Sequence, residues 1–283
     1  MSKINEFTFL ECNKPYDISN IVIFGAPFDG TTSYRPGTRF APNAIRNESF
    51  GIESYSFYQD RDIIDMNVCD IGDIDIPIGN TIESLKAIED TTKQILDDCK
   101  IPFMIGGEHL VTLGAFRAIH DKYKEVHVIH FDAHADLRQE YLNQQLSHAC
   151  VLRRIHDIIG DNKIYQFGIR SGISEEYKFG KEHNNFNPFD LKNVDSISEL
   201  KDKPVYITID LDVLDPSIFA GTGTPEPGGV TFNELLNAFK AFKGLNIVGI
   251  DVNELSPMYD TSNVSTIVAC KVIRELLLVL GGK

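Results

Sequence analysis

The sequence predicts an α/β fold with three α/β/α layers around a mainly parallel sheet. Three observations carry this reading. Short apolar, β-branched runs alternate with longer amphipathic segments along the chain. The runs are apolar at successive positions, as in strands buried on both faces by covering helices. No Pro-, Gly- or Ser-rich linker interrupts the pattern, so residues 1–283 are read as one domain.

The elements follow in order. "NIVIFGAPFD" (20–29) is a strand running into a loop, "PNAIRNESFGI" (42–52) a helix and "MNVCDIGD" (66–73) a strand. In "TIESLKAIEDTTKQILDDCK" (81–100), Ile82, Leu85, Ile88, Ile95 and Leu96 recur at helical spacing, with Thr81 as the expected N-cap. The strand "IPFMIGG" (101–107), the helix "EHLVTLGAFRAIHDKY" (108–123) and the strand "VHVIHFDAH" (126–134) come next. "SHACVLRRIHDII" (147–159) reads as a helix, and "KIYQFGIR" (163–170) and "PVYITIDLDV" (204–213) as strands. The chain closes with the helix "TFNELLNAFKAF" (231–242), the strand "LNIVGIDVNE" (245–254) and the helix "DTSNVSTIVACKVIRELLLVL" (260–280).

Composition narrows the function. With 27 Lys and Arg against 41 Asp and Glu, the net charge of −14 argues against nonspecific nucleic-acid binding and suits a cationic small molecule. No apolar run is long enough to span a bilayer, and "MSKINEFTFLECNKPYD" lacks the apolar core of a signal peptide, so a cytoplasmic location is expected. The five cysteines are scattered and form no C-x-x-C, so they are read as reduced and mostly buried. Cys150 lies two residues from His148, but it is read as a core thiol rather than a catalytic partner.

In open parallel sheets, ligands bind beyond the C-terminal strand ends. Gly106-Gly107-Glu108-His109 follows "IPFMI"; Asp132, His134 and Asp136 follow "VHVIHF"; Asp210 and Asp212 end the strand that begins "PVYIT"; Asp251 and Glu254 end the strand "NIVGIDVNE". Residues at i, i+2 and i+4 share one side of an extended backbone, so Asp132, His134 and Asp136 can face one site, as can Asp210 and Asp212. The two glycines are expected to let the backbone turn sharply and return His109 over the sheet. Two histidines and four aspartates exceed the needs of one ion and suit a two-metal centre with ions about 3.5–4 Å apart. Oxygen-rich ligation favours Mn²⁺ over structural zinc. His130 is read as strand packing, out of phase with the ligand face. His120, His127, His156 and His183 are read as structural or solvated.

"GGEH", "FDAHADLR", "SHA" and "TIDLDVLDPSIFAGTGTPEPGG" together resemble the ureohydrolases, the binuclear manganese enzymes that include arginase and agmatinase. The match runs from about Asn20 to the C-terminal helix. It implies two Mn²⁺ per subunit held by His109, Asp132, His134, Asp136, Asp210 and Asp212, with Asp132 and Asp210 bridging. By the same resemblance, His148 in "LSHAC" is the proton-shuttling histidine and Glu254 the carboxylate that grips the substrate guanidinium. "APFDGTTSYRPGTRFAPNAIR" and "GIDVNELSPMYD" are similar to the agmatinase branch, which implies hydrolysis of agmatine to putrescine and urea. The asparagine-containing segment with which arginases hold an α-amino acid head group is missing between Asp136 and His148. Relatives form trimers or hexamers, so a homotrimer or homohexamer is expected, with no nucleic-acid or membrane partner.

Other readings keep the chemistry and change the tail: guanidinobutyrate, guanidinopropionate, formiminoglutamate, guanidine or arginine. A carboxylate-ended tail would need a basic residue nearby, for which Arg35 and Arg170 are candidates. Deacetylation on a related fold, or a metal-dependent scaffold, stand as alternatives from other classes. The "GTGTPEPGG" loop carries no phosphate-binding motif and is read as a wall of the site, with Glu226 solvated; Asp251 is read as a supporting group.

Overall fold

In the computed structural model, which describes residues 7–281, ten strands and seven α-helices form. The strands are β1 (Ile21–Gly25), β2 (Tyr55–Ser56), β3 (Arg61–Asp62), β4 (Val68–Asp73), β5 (Ile101–Ile105), β6 (His127–Phe131), β7 (Ile164–Ile169), β8 (Asn185–Pro188), β9 (Pro204–Asp210) and β10 (Asn246–Asn253). The helices are α1 (Ala41–Ser49), α2 (Thr81–Asp97), α3 (Val111–Lys122), α4 (Val151–Ile159), α5 (Ser174–His183), α6 (Phe232–Phe239) and α7 (Val264–Leu280). Residues 1–6, part of the stretch read for a signal peptide, lie outside the described range.

Eight strands pair in the order β4-β1-β5-β10-β9-β6-β7-β8, every pair parallel. Successive residues feed opposite faces, as the pleat requires. In β1, Ile21 and Ile23 join the core under α1, α6 and α7, while Val22 and Phe24 join the core under α2, α3 and α4. Both faces are therefore covered, and the expected three layers are present. No helix among the described residues is long and apolar enough to cross a membrane.

The reading of α2 needs two corrections. Asn80, not Thr81, caps the helix: its Oδ1 accepts the Glu83 N–H at 3.2 Å, satisfying an otherwise unpaired donor and stabilising the helix by about 1 kcal/mol. Ile82 falls outside the apolar stripe and is 64% exposed. Helix α5, strand β8 and the β2–β3 hairpin were absent from the sequence reading. Helix α5 buries only Glu176 and Gly180, too little to imprint a periodicity. Cys12, Cys150 and Cys270 are buried, but Cys99 is exposed and Cys69 lies between.

Chain order and spatial order diverge at the centre. After β5 the chain builds β6 three places away, and β9 and β10 later fill the gap. The C-terminal ends of β5, β10, β9 and β6 thus stand side by side, and the acids and histidines are attached there.

Candidate metal centre

His109 lies in the bend between β5 and α3. Its Nδ1 is 3.1 Å from Asp132 Oδ2, 3.1 Å from Asp136 Oδ2 and 3.4 Å from Asp210 Oδ2. Its Nε2 is 2.9 Å from Thr208 Oγ1, and that hydroxyl donates to Asp251 Oδ1 at 2.6 Å. With the Thr208 proton so committed, Nε2–H is the donor and Nδ1 keeps its lone pair. Nδ1 is buried with no hydrogen-bond partner among the described residues. A bare lone pair facing three carboxylate oxygens repels them unless a cation stands between.

A second group adjoins the first. His134 Nδ1 is 3.1 Å from Asp212 Oδ2 and 3.5 Å from Asp132 Oδ1. Asp132 therefore turns one oxygen toward His109 and the other toward His134, the disposition of a bridging carboxylate. Asp210 adjoins both groups: Oδ2 faces His109, and Oδ1 accepts the Asp212 N–H at 2.9 Å. Asp212 is steadied by the Ala133 N–H at 3.1 Å and the Thr224 hydroxyl at 3.3 Å. All six expected ligands are brought together, and their donor set fits two divalent cations.

The electrostatics show what crowding does without a cation. Burial pushes the Asp136 carboxyl up to about 7, with repulsion from Asp132 adding to it. Burial and repulsion from Asp212 and Asp132 push Asp210 well above the usual range. Burial also opposes charge on Asp132, but the facing imidazoles of His109, His130 and His134 outweigh it and hold that carboxyl well below. Asp136 adopts a positive φ of 53°, which Asp tolerates, and Glu254 one of 68°, a conformation costly for side chains other than Asn, Asp and Gly. Glu254 is held there by its N–H donating to Gly107 O at 2.9 Å. Neither glycine before His109 has positive φ; each is needed for space. A Cβ at Gly107 would lie 1.9 Å from Phe28 O, and one at Gly106 would lie 1.8 Å from Asn253 Oδ1.

The cluster opens into a cavity of about 250 Å³ bordered by His109, His134, Asp136, Asp210, His148 and Glu254. His148 Nδ1 lies 3.0 Å from Thr31 O, leaving Nε2 beside Ser33 Oγ at 3.4 Å. Burial pushes the imidazole down to about 4, so it rests neutral. Glu254 Oε1 accepts the His109 N–H at 2.7 Å. A larger groove of about 780 Å³ lies between α6 and α7 and holds none of these residues.

Several sequence readings are corrected by position. His130, the penultimate residue of β6, donates from Nε2 to Oδ2 of Asp132 just beyond the strand end at 2.8 Å; it supports a candidate ligand rather than merely packing. Arg170 is consumed by carbonyls, reaching Asp212 O and Glu226 O at 2.7 Å each. Arg35 stacks on Tyr34 and Tyr259. Glu226 is not simply solvated: its Oε1 accepts the Ser171 hydroxyl at 2.8 Å. Glu108, to which the sequence assigns no role, is buried and accepts from Thr31 N–H at 2.8 Å and the Thr32 hydroxyl at 3.1 Å. The "GGEH" string contained it, but nothing local links it to Thr31.

A family model described as "Arginase family" matches residues 19–279. The chain belongs to the arginase family. Its members hydrolyse guanidino C–N bonds, and this arginase-family chain is such a hydrolase. It is 44% identical over 277 residues to an agmatinase of Bacillus anthracis, covering 95% of both chains. A crystal structure of a putative agmatinase from Clostridium difficile superposes with a TM-score of 0.93 at 54% identity, covering 94% of this chain and 99% of that one. A guanidinobutyrase of Pseudomonas aeruginosa is 32% identical over 287 residues, covering 94% of this chain and 88% of that one.

Proposed function

We propose that the chain hydrolyses agmatine and water to putrescine and urea, with two Mn²⁺ per subunit held by His109, Asp132, His134, Asp136, Asp210 and Asp212. The observation that carries the reading is the unpartnered Nδ1 of His109 among three carboxylates, with the Asp132 bridge leading to His134 and Asp212. When bound, such a pair of cations makes water a competent nucleophile near neutral pH.

The protein supplies the rest. Glu254, at the cavity wall, accepts charge-assisted hydrogen bonds from the guanidinium and orients its carbon toward the cluster. Neutral His148 takes up a proton released at the reaction centre on Nε2 and delivers it to the departing nitrogen, because an amine leaves only when protonated. Thr31 O keeps the other nitrogen protonated, so Nε2 is the atom that exchanges.

The tail of the substrate is read from the arginines. Arg170 and Arg35 are engaged elsewhere. Arg138, which lines the cavity, has its Nε 3.4 Å from Glu176 Oε2 and stacks on Tyr141. With no free cation at the wall among the described residues, a cationic tail fits better than a carboxylate. The resemblance also supports a homotrimer or homohexamer. Urea release with agmatine, arginine, guanidinobutyrate and guanidine tests the proposal on Mn²⁺-loaded protein. Turnover of agmatine well above the rest is expected. Preference for guanidinobutyrate would overturn the tail reading, and urea from none of them would overturn the function.

A further inference from the structure

At the far edge of the sheet, two imidazoles converge on one oxygen. His156 Nε2 is 2.9 Å and His183 Nδ1 3.0 Å from the same Asp161 Oδ1. The three residues come from the last turn of α4, the turn after it and the last residue of α5. We propose that His156, Asp161 and His183 form a binding site for one late first-row divalent cation such as Zn²⁺, distinct from the central cluster.

Ligand type and geometry support this. The three ligand atoms lie within 4.8 Å of one another. Tetrahedral bonds of about 2.0–2.2 Å place ligand atoms about 3.3–3.5 Å apart, so the site need open by only a few tenths of an ångström. Asp161 sits on an exposed turn that can supply the movement. Two imidazoles with one carboxylate favour Zn²⁺, Cu²⁺ or Ni²⁺ over Mn²⁺, which separates this site chemically from the oxygen-rich centre.

The surroundings are organised for the same ion. Binding requires each imidazole to carry its proton on its outer nitrogen, and a carboxylate lies beyond each one, Asp157 being also bonded by Arg153 at 3.4 Å and Arg154 at 2.9 Å. Asp157 Oδ1 is 4.0 Å from His156 Nδ1, and Glu182 Oε2 is 3.9 Å from His183 Nε2; closing these gaps completes two carboxylate–histidine–metal relays. His156 Nδ1 is buried with no hydrogen-bond partner among the described residues. Phe179 packs against both rings, with centroids at 4.8 and 4.3 Å. Asn162 N–H donates to His183 O at 2.7 Å, tying the turn to the end of α5. Both helices end here, and their C-terminal dipoles favour a cation. A bound ion would brace α4, which starts three residues after His148, against α5, which carries Glu176 at the cavity.

The test counts metal. Protein saturated with Mn²⁺ is equilibrated with Zn²⁺, freed of excess, and its total metal per chain is measured by elemental mass spectrometry. Exchange at the central cluster leaves the total unchanged, so the comparison with variants isolates this site. Wild type is expected to carry one more ion per chain than His183→Ala or His156→Ala, each shown to be folded by its far-ultraviolet spectrum. A Zn²⁺-induced rise in Tm is expected in wild type and lost in both variants. Equal metal counts in all three proteins would overturn the proposal, whatever substrate the central site turns over.

Discussion

His148 donates its Nδ1–H to the carbonyl of Thr31 across 3.0 Å, and this single bond decides which imidazole nitrogen faces the cavity. The Thr31 hydroxyl also accepts the backbone N–H of His148 at 3.1 Å and donates to Glu108. The N-terminal loop thereby sets the tautomer of a residue 117 positions away.

Replacing His148 removes the proposed proton carrier but none of the proposed metal ligands. His148→Asn is expected to lower kcat about 10²–10⁴-fold while metal per chain stays at the wild-type value. Steady-state kinetics with metal analysis on one preparation checks this. Metal loss in step with activity would show that the histidine holds the cluster instead.

The same imidazole predicts a pH effect on stability. Its folded-state value of about 4 lies below the unfolded value, so between them the unfolded chain binds a proton that the native one does not. The contribution is fully present above about pH 6.5 and is lost as pH falls toward 4. The Tm of wild type relative to His148→Asn should therefore drop between pH 7.5 and pH 5.

Glu108 is expected to act through Thr31. Burial raises the Glu108 carboxyl to about 7, so above that pH Glu108→Gln keeps the shape and removes charge from hydrogen bonds worth about 1.5–3 kcal/mol. A fall in kcat of roughly 10- to 100-fold is expected, with KM little changed. A change confined to KM would place Glu108 in substrate binding instead.

Removing metal should destabilise the protein more at higher pH. In the metal-free state, burial, with repulsion from Asp132, raises Asp136 to about 7, so its favourable protonation is lost as pH rises through that value. Metal binding also competes with protons for these ligands. The rise in Tm on adding Mn²⁺ should be larger at pH 7.5 than at pH 5.5, and a pH-independent rise would contradict this reading.

Glu254→Gln should lower kcat/KM for a guanidinium substrate by about 10- to 100-fold, the loss of one charge-assisted hydrogen bond. Metal content should be unchanged, because Glu254 contacts the His109 backbone and not its ring.

The sequence by itself determined most of the elements and the candidate ligands, because both follow from local signals. Apolar runs marked β1, β5, β6, β9 and β10, and with them where the acids and histidines leave the sheet. The two-residue repeat expected for Asp132, His134 and Asp136 is not what gathers them: β6 ends at Phe131, Asp136 has a positive φ of 53°, and Asp212 lies in the turn after β9, so the loops beyond the strands do it. Helix α5 left no mark, since its sequence buries almost nothing. What the tertiary structure decided is adjacency between distant segments. It set β10 and β9 between β5 and β6, joined Glu108 to Thr31 and Thr31 to His148, and spent Arg170 on carbonyls of the loops after β9. It also brought His183 to His156 at Asp161. Strand order and loop docking depend on which surfaces are buried against which, and no repeat along the chain records that choice.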